Sequence, residues 1–273
     1  MERIEIEALA RELLLAYETG QMVPTLPSSQ SGFDLNAAYE VEAQLKQLRE
    51  VGGARAVGRK VGYANKAMWR VFKLQTLVWA HMYEDTVHYA EGNSASLTVP
   101  HAPSLKIEPE IVFGLKQPIA VEGVDAAGAL EATEWLAIGF EIIDCPFPDW
   151  KFQPADFVAS FGLHAALVVG ERILVHAGPT TQLLEQLPRF KVRVSRNGEF
   201  VEEGSGKNSL ASPALCLAEL RTAILRRFPG EPLRAGEIIS SGTLTAGHPT
   251  HAGDTWTVEV EGLPLSSLRL RLN

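Results

Sequence analysis

The chain has 273 residues, with 33 acids against 25 bases for a formal charge of −8. Its 46 % apolar and 21 % charged residues can build a sizeable core and argue against disorder, and the length suits one large domain with a subsidiary one. With that acidic balance and no basic run, a sequence-independent hold on nucleic-acid phosphates is disfavoured.

Residues Met1 to Leu15 carry acids where a secretory signal carries bases, and no uncharged apolar stretch approaches the roughly eighteen residues of a membrane span. A soluble, cytoplasmic protein that binds neither nucleic acid nor membrane is the expectation. Cys145 and Cys216 are the only cysteines and form no CxxC pair, so neither a disulfide framework nor a thiolate zinc site is indicated.

The amino-terminal third reads as helical. Between Glu2 and Thr19, the residues Ile6, Leu9, Leu13 and Tyr17 recur at steps of three or four, one stripe of an amphipathic helix that Gly20 ends. After a polar connector, Gln21 to Gly32, a second helix starts near Asp34, presents Val41, Leu45 and Leu48, and stops at Gly52-Gly53. The period then changes to two. Segments 56–63, 104–115, 135–144, 164–170, 189–204, 237–244 and 254–263 fit strands bounded by Gly, Pro, Asn or Asp, and Asn197-Gly198 marks a tight hairpin. One further helix is capped by Ser212, begins at Pro213, lines one face with Leu217, Leu220 and Ile224, and ends at Phe228-Pro229-Gly230. The class is α+β: a small helical α/β portion, residues 1–75, ahead of a β-rich body, 76–273.

Three glutamates carry the chemical signal. On a strand, Glu108 and Glu110 of Lys106-Ile107-Glu108-Pro109-Glu110 point to one face, where like charges are unfavourable unless solvent or a cation meets them. Glu141 interrupts the apolar run Ala137 to Ile143, where a carboxylate needs a partner or a raised pKa. A Glu-x-Glu strand is also an ordinary solvated sheet face. One divalent cation would answer all three acids, and an all-oxygen set suits Mg²⁺ or Mn²⁺.

Gly58-Arg59-Lys60-Val61-Gly62, Glu108-Pro109-Glu110, Glu141-Ile142-Ile143-Asp144 with Trp150, and Ala235 to Thr243 occur in an order and at separations that resemble the fumarylacetoacetate hydrolase superfamily. The likeness is to its branch of 2-keto-4-pentenoate hydratases and 4-oxalocrotonate decarboxylases and covers nearly the whole chain. It implies a mixed β-roll, barrel-like body and a homo-oligomer. It places the metal ligands at Glu108, Glu110 and Glu141, a substrate-side lysine at Lys60, and contacts to the substrate carboxylate at Gly242 and Thr243. Two departures stand out. An Asp-Asn pair followed by Ser is replaced by Ala159-Ser160-Phe161-Gly162-Leu163-His164, and an acid ahead of the metal strand by His81. His81 and His164 are therefore candidate catalytic residues, with ordinary packed histidines as the alternative.

The resemblance implies a metal-dependent hydro-lyase that adds water to a 2-hydroxydienoic or 2-oxoenoic acid in aromatic-compound degradation. Lys60 would be the general acid or base, or fixed positive charge near the substrate carboxylate; for proton transfer its pKa would need to fall toward neutrality, as burial beside a cation would push it, and without the resemblance it reads as a surface lysine on a strand. Decarboxylation of a vinylogous 2-oxo diacid and carbon-carbon hydrolysis of an acylpyruvate are the related alternatives. A non-catalytic subunit supporting a pathway decarboxylase or hydratase is the alternative outside catalysis. His248 and His251 rim the pocket or lie in a solvated loop, and Trp69, Phe72, Trp79 and Trp150 wall the cavity or simply pack.

Overall fold

The computed structural model describes residues 3–99, 104–175 and 180–273. The expected first helix is α1, Arg3–Thr19, with Ile6, Leu9 and Leu13 buried along its inner stripe; Glu2 lies outside the described residues. Helix α2, Leu35–Val51, begins where the Asp34 carboxylate accepts from the N–H groups of Asn36 and Ala37, which satisfies two otherwise orphaned donors of the first turn. It buries Val41 and Leu45 and ends at Gly52.

Strand β1 (Ala56–Gly62) leads through α3 (Lys66–Phe72) to β2 (Val78–Tyr83), β3 (Val87–Tyr89) and β4 (Ser94–Leu97). The long β5 (Leu105–Leu115) and β6 (Thr133–Asp144) flank α4 (Ala126–Glu131). Helix α5 (Pro154–Ala159) precedes β7 (His164–Val169) and β8 (Ile173–Leu174), and α6 (Thr180–Gln186) precedes the hairpin of β9 (Lys191–Arg196) and β10 (Glu199–Ser205). After α7 (Pro213–Arg227) come β11 (Ile238–Thr243), β12 (His248–Pro249), β13 (Thr255–Glu261) and β14 (Leu268–Leu272).

The strands form two sheets, as expected of the α+β class with a mixed, barrel-like body. The larger runs β2-β1-β11-β5-β6-β7-β3, with β12 added to β5 and β8 to β6; the smaller runs β10-β9-β13-β14-β4. In the larger sheet β1 is parallel to β11 and β3 to β7, while β5 is antiparallel to β11 and β6. Strand β1 comes from the first 75 residues yet lies between β2 and β11.

The predicted hairpin is present, with Asn197 and Gly198 at φ of 54° and 85°. Ser212 occupies the cap position of α7, but its side chain makes no cap bond. Strands β5 and β6 are buried almost throughout, which explains their nearly continuous apolar runs: both faces of this sheet are covered. Polar residues on those strands therefore need internal partners.

Candidate active site

In the β5–β6 register Glu108 stands opposite Glu141, and Glu110 opposite Gly139. Because side chains two apart share a face, all three carboxylates emerge together. One oxygen from each lies within 4.8 Å of the others. Glu110 and Glu141 are buried, and Glu108 is half-buried at the edge of the group.

Each carboxylate is held differently. Lys60, projecting from β1, brings Nζ to 2.9 Å from Glu141 Oε2, and its ammonium lies 5.0 Å from the Phe157 ring centroid. On the other oxygen, His164 Nδ1 lies 2.8 Å from Glu141 Oε1; a carboxylate can only accept, so Nδ1 carries the hydrogen and donates. Glu110 Oε2 accepts from the Ser240 hydroxyl and from the Gly242 N–H at 2.9 Å. Glu110 Oε1 is buried without a hydrogen-bond partner.

The electrostatics follow from three acids facing one lysine. Burial, reinforced by Glu141 and opposed by Lys60, pushes Glu108 up to about 7. Burial and the two neighbouring carboxylates push Glu110 well above the ordinary range. Glu141 is also buried, but Lys60 and His164 outweigh that cost and hold it below its ordinary value. For Lys60, burial acts downward and the three carboxylates more strongly upward, so its pKa is raised. The expected fall toward neutrality depends on a cation beside Lys60, whose charge would act against these carboxylates.

These residues fit a divalent cation. Three hard oxygen donors converge, one buried oxygen lacks any donor among the described residues, and burial with neighbouring carboxylates holds two of the three acids back from ionising. A single +2 charge removes that penalty, and an all-oxygen set suits Mg²⁺ or Mn²⁺.

The segment that departs from the resembled pattern lies against Lys60. Phe161, Gly162 and Leu163 adopt φ of 54°, 60° and 58°, a left-handed turn that brings His164 to the start of β7. Only glycine fits at its centre, since a Cβ on Gly162 would stand 2.6 Å from Lys60 Cδ and 3.0 Å from Ala80 Cβ. Non-glycine residues in this region are strained, and such strain gathers at functional sites.

His81 does not join the cluster. It pairs across strands with Arg59, the neighbour of Lys60 in β1, and so lies on the opposite face of the sheet. There its Nδ1 lies 2.6 Å from Glu42 Oε1, and its ring meets Trp79 edge-on, beside a cavity of about 650 Å³ that Arg59 also lines. Gly242 joins through its N–H on Glu110, whereas the Thr243 hydroxyl is turned to Thr245 O at 3.0 Å.

His248 Nε2 lies 2.9 Å from Glu202, and the preceding Gly247 is packed against Glu108, so this loop rims the carboxylates; His251 is exposed. Trp69 and Phe72 pack about Tyr63, and Trp150 lies under the Lys106 ammonium at 3.8 Å. Two residues escaped the sequence reading. Ser240 lay inside a quoted motif but carried no distinguishing signal, and Thr86, 3.0 Å from His164 Nε2, has no local signature at all.

Comparison with known proteins adds to this geometry. The family description "Fumarylacetoacetate (FAA) hydrolase C-terminal" matches residues 55–271. The chain is 29 % identical to a 2-hydroxyhexa-2,4-dienoate hydratase of Comamonas testosteroni, over 97 % of each chain. It is 30 % identical to a 4-oxalocrotonate decarboxylase of a Pseudomonas species, over 95 % of this chain and 96 % of the relative. Among solved structures, the 4-oxalocrotonate decarboxylase from Pseudomonas putida G7, complexed with magnesium and adipate, superposes with a TM-score of 0.89 at 25 % identity, covering 100 % of this chain and 99 % of that one.

Proposed function

The chain belongs to the fumarylacetoacetate hydrolase family, and from that premise we propose that it is a metal-dependent lyase adding water to a short 2-hydroxydienoic or 2-oxoenoic acid. The observation that carries this reading is the convergence of Glu108, Glu110 and Glu141 on one buried face beside Lys60. A non-catalytic subunit has no physical need for three mutually repelling acids around one lysine.

Glu108, Glu110 and Glu141 would hold Mg²⁺ or Mn²⁺. When bound, the ion supplies fixed positive charge to the C1 carboxylate and C2 oxygen of a 2-oxo acid as negative charge develops there. Ser240 and the Gly242 N–H hold Glu110 by one oxygen, and the other has no donor among the described residues. Lys60 Nζ, which the three carboxylates hold charged before an ion is bound, would donate its proton to the conjugated chain or stand as fixed positive charge beside the substrate. The cluster's burial keeps bulk water from competing for these charges.

Decarboxylation of a vinylogous 2-oxo diacid is the second reading. It is favoured by the superposition on a 4-oxalocrotonate decarboxylase that holds adipate, itself a diacid. The two reactions part at the water: hydration requires it to attack at C4, and decarboxylation does not. The test presents 2-hydroxypenta-2,4-dienoate, 4-oxalocrotonate and an acylpyruvate with Mg²⁺ or Mn²⁺, following ultraviolet absorbance and released carbon dioxide. Loss of the dienoate band without carbon dioxide is expected. Carbon dioxide from 4-oxalocrotonate alone would replace hydration with decarboxylation, and metal uptake without turnover of any compound would favour a supporting subunit.

A further inference from the structure

We propose that Thr86 is a positioning residue for the carboxylate site, acting through His164 on Glu141; this rests on the metal-site reading above. Thr86 is far from the glutamates in sequence, in the turn between β2 and β3. Its Oγ1 lies 3.0 Å from His164 Nε2, while the other ring nitrogen, Nδ1, lies 2.8 Å from Glu141 Oε1. The three side chains form one buried line running from a turn to a candidate metal ligand.

The line has rigid ends. The Thr86 N–H donates to Tyr83 O at 3.0 Å, and Thr86 O accepts from the Leu167 N–H at 2.8 Å, so the backbone is fixed to β2 and to β7. Leu167 is also the residue that pairs with Glu141 across β6 and β7. The hydroxyl has three partners within reach: it accepts from the Tyr83 N–H at 3.3 Å, and Tyr83 O at 2.9 Å and His164 Nε2 lie within its donating range. Since the Thr86 N–H already occupies Tyr83 O, the hydroxyl can serve the imidazole without orphaning a carbonyl. With the hydroxyl donating to Nε2, that nitrogen accepts and the neutral ring keeps its hydrogen on Nδ1 for Glu141.

His164 needs this second anchor. It follows three successive residues with positive φ, and the bond at Nε2 adds a second fixed point to the one its ring has on Glu141. Bonds at both nitrogens fix its plane, and with it the orientation of Glu141. Lys60 occupies Glu141 Oε2, so His164 is what sets the direction of Oε1. Outer partners that orient a ligand in this way typically alter metal affinity by about 10–100-fold when lost.

The test is calorimetric titration of Mg²⁺ into the unaltered protein, Thr86→Val, Thr86→Ser, His164→Ala and the pair Thr86→Val with His164→Ala, with folding verified by circular dichroism. Thr86→Val should weaken binding about tenfold. Thr86→Ser, which retains the hydroxyl, should bind as the unaltered protein does. With His164 already replaced, Thr86→Val should change nothing further, because its effect travels through the imidazole. Undiminished binding by Thr86→Val overturns the proposal, as does a loss that Ser fails to rescue or that persists without His164. Failure of the unaltered protein to take up Mg²⁺ would instead overturn the metal-site reading, and this inference with it.

Discussion

Lys60 Nζ lies 2.9 Å from Glu141 Oε2, although β11 and β5 separate their strands in the sheet. In a flat sheet three strand spacings amount to about 14 Å, so the pair can form only where the sheet curls and both side chains extend into its concavity. The same curvature places the charge of β1 over the carboxylates of β5 and β6.

Replacing Lys60 should therefore separate chemistry from metal binding. Lys60→Met is expected to lower turnover by about 100-fold or more, the usual range for a lost proton-transfer group, while Mg²⁺ uptake is retained. Steady-state kinetics and calorimetry on one preparation check this. An unaltered rate would remove Lys60 from the mechanism.

Glu110 bears the most strongly disfavoured charge of the three, and its buried Oε1 lacks a partner. Glu110→Gln should abolish Mg²⁺ uptake, or weaken it by more than about 100-fold, beyond the range of an outer partner. The metal-free variant should melt no lower than the metal-free parent, since a neutral amide replaces an acid that burial already disfavours. Thermal melts with and without Mg²⁺ measure both effects.

The pKa of Glu108, raised from 4.5 to about 7, fixes a pH dependence. In the metal-free protein the folded state binds this proton more tightly than the unfolded chain does. The associated stability is therefore complete below pH 4.5 and is lost as pH rises toward 7. Metal binding displaces the protons held by Glu108 and Glu110, so Mg²⁺ affinity should rise with pH through that window. Titrations in buffers of differing ionisation enthalpy would detect the released proton, and a flat affinity profile from pH 5 to 8 would contradict the assignment.

His81 is predicted to be structural. It sits across the sheet from the carboxylates, joined to the buried Glu42, whose charge it helps stabilise. His81→Ala should destabilise the fold by about 1–3 kcal/mol by leaving Glu42 without that partner, with Mg²⁺ affinity and turnover within about twofold of the parent. Denaturant melts beside calorimetry test it; a large loss of turnover in a stably folded variant would restore His81 to the mechanism.

Helices α1, α2 and α7 and most of the long strands were legible because their signals are local. The leucine and isoleucine stripe of α1, the Asp34 cap, and the Asn197-Gly198 turn each act within a few residues. The metal set was legible in part for the same reason: Glu108 and Glu110 share a face by strand geometry, and Glu141 stands out against an apolar run. Helix α3 and the buried strand β2 did not stand out. Strand β2 holds Trp79, Ala80, His81 and Met82 buried together, so it shows no alternation to read.

By itself, then, the amino-acid sequence determined the class of the fold and which acids needed a partner, because hydrophobic period and misplaced charge are written along the chain. The tertiary structure decided which charges meet. The curl of the larger sheet joined Lys60 to Glu141, the alternation of β1 and β2 sent His81 to the far face, and a left-handed turn set His164 between Glu141 and Thr86. Those outcomes depend on strand order and on the direction of each side chain, and neither is a property of any short stretch of sequence.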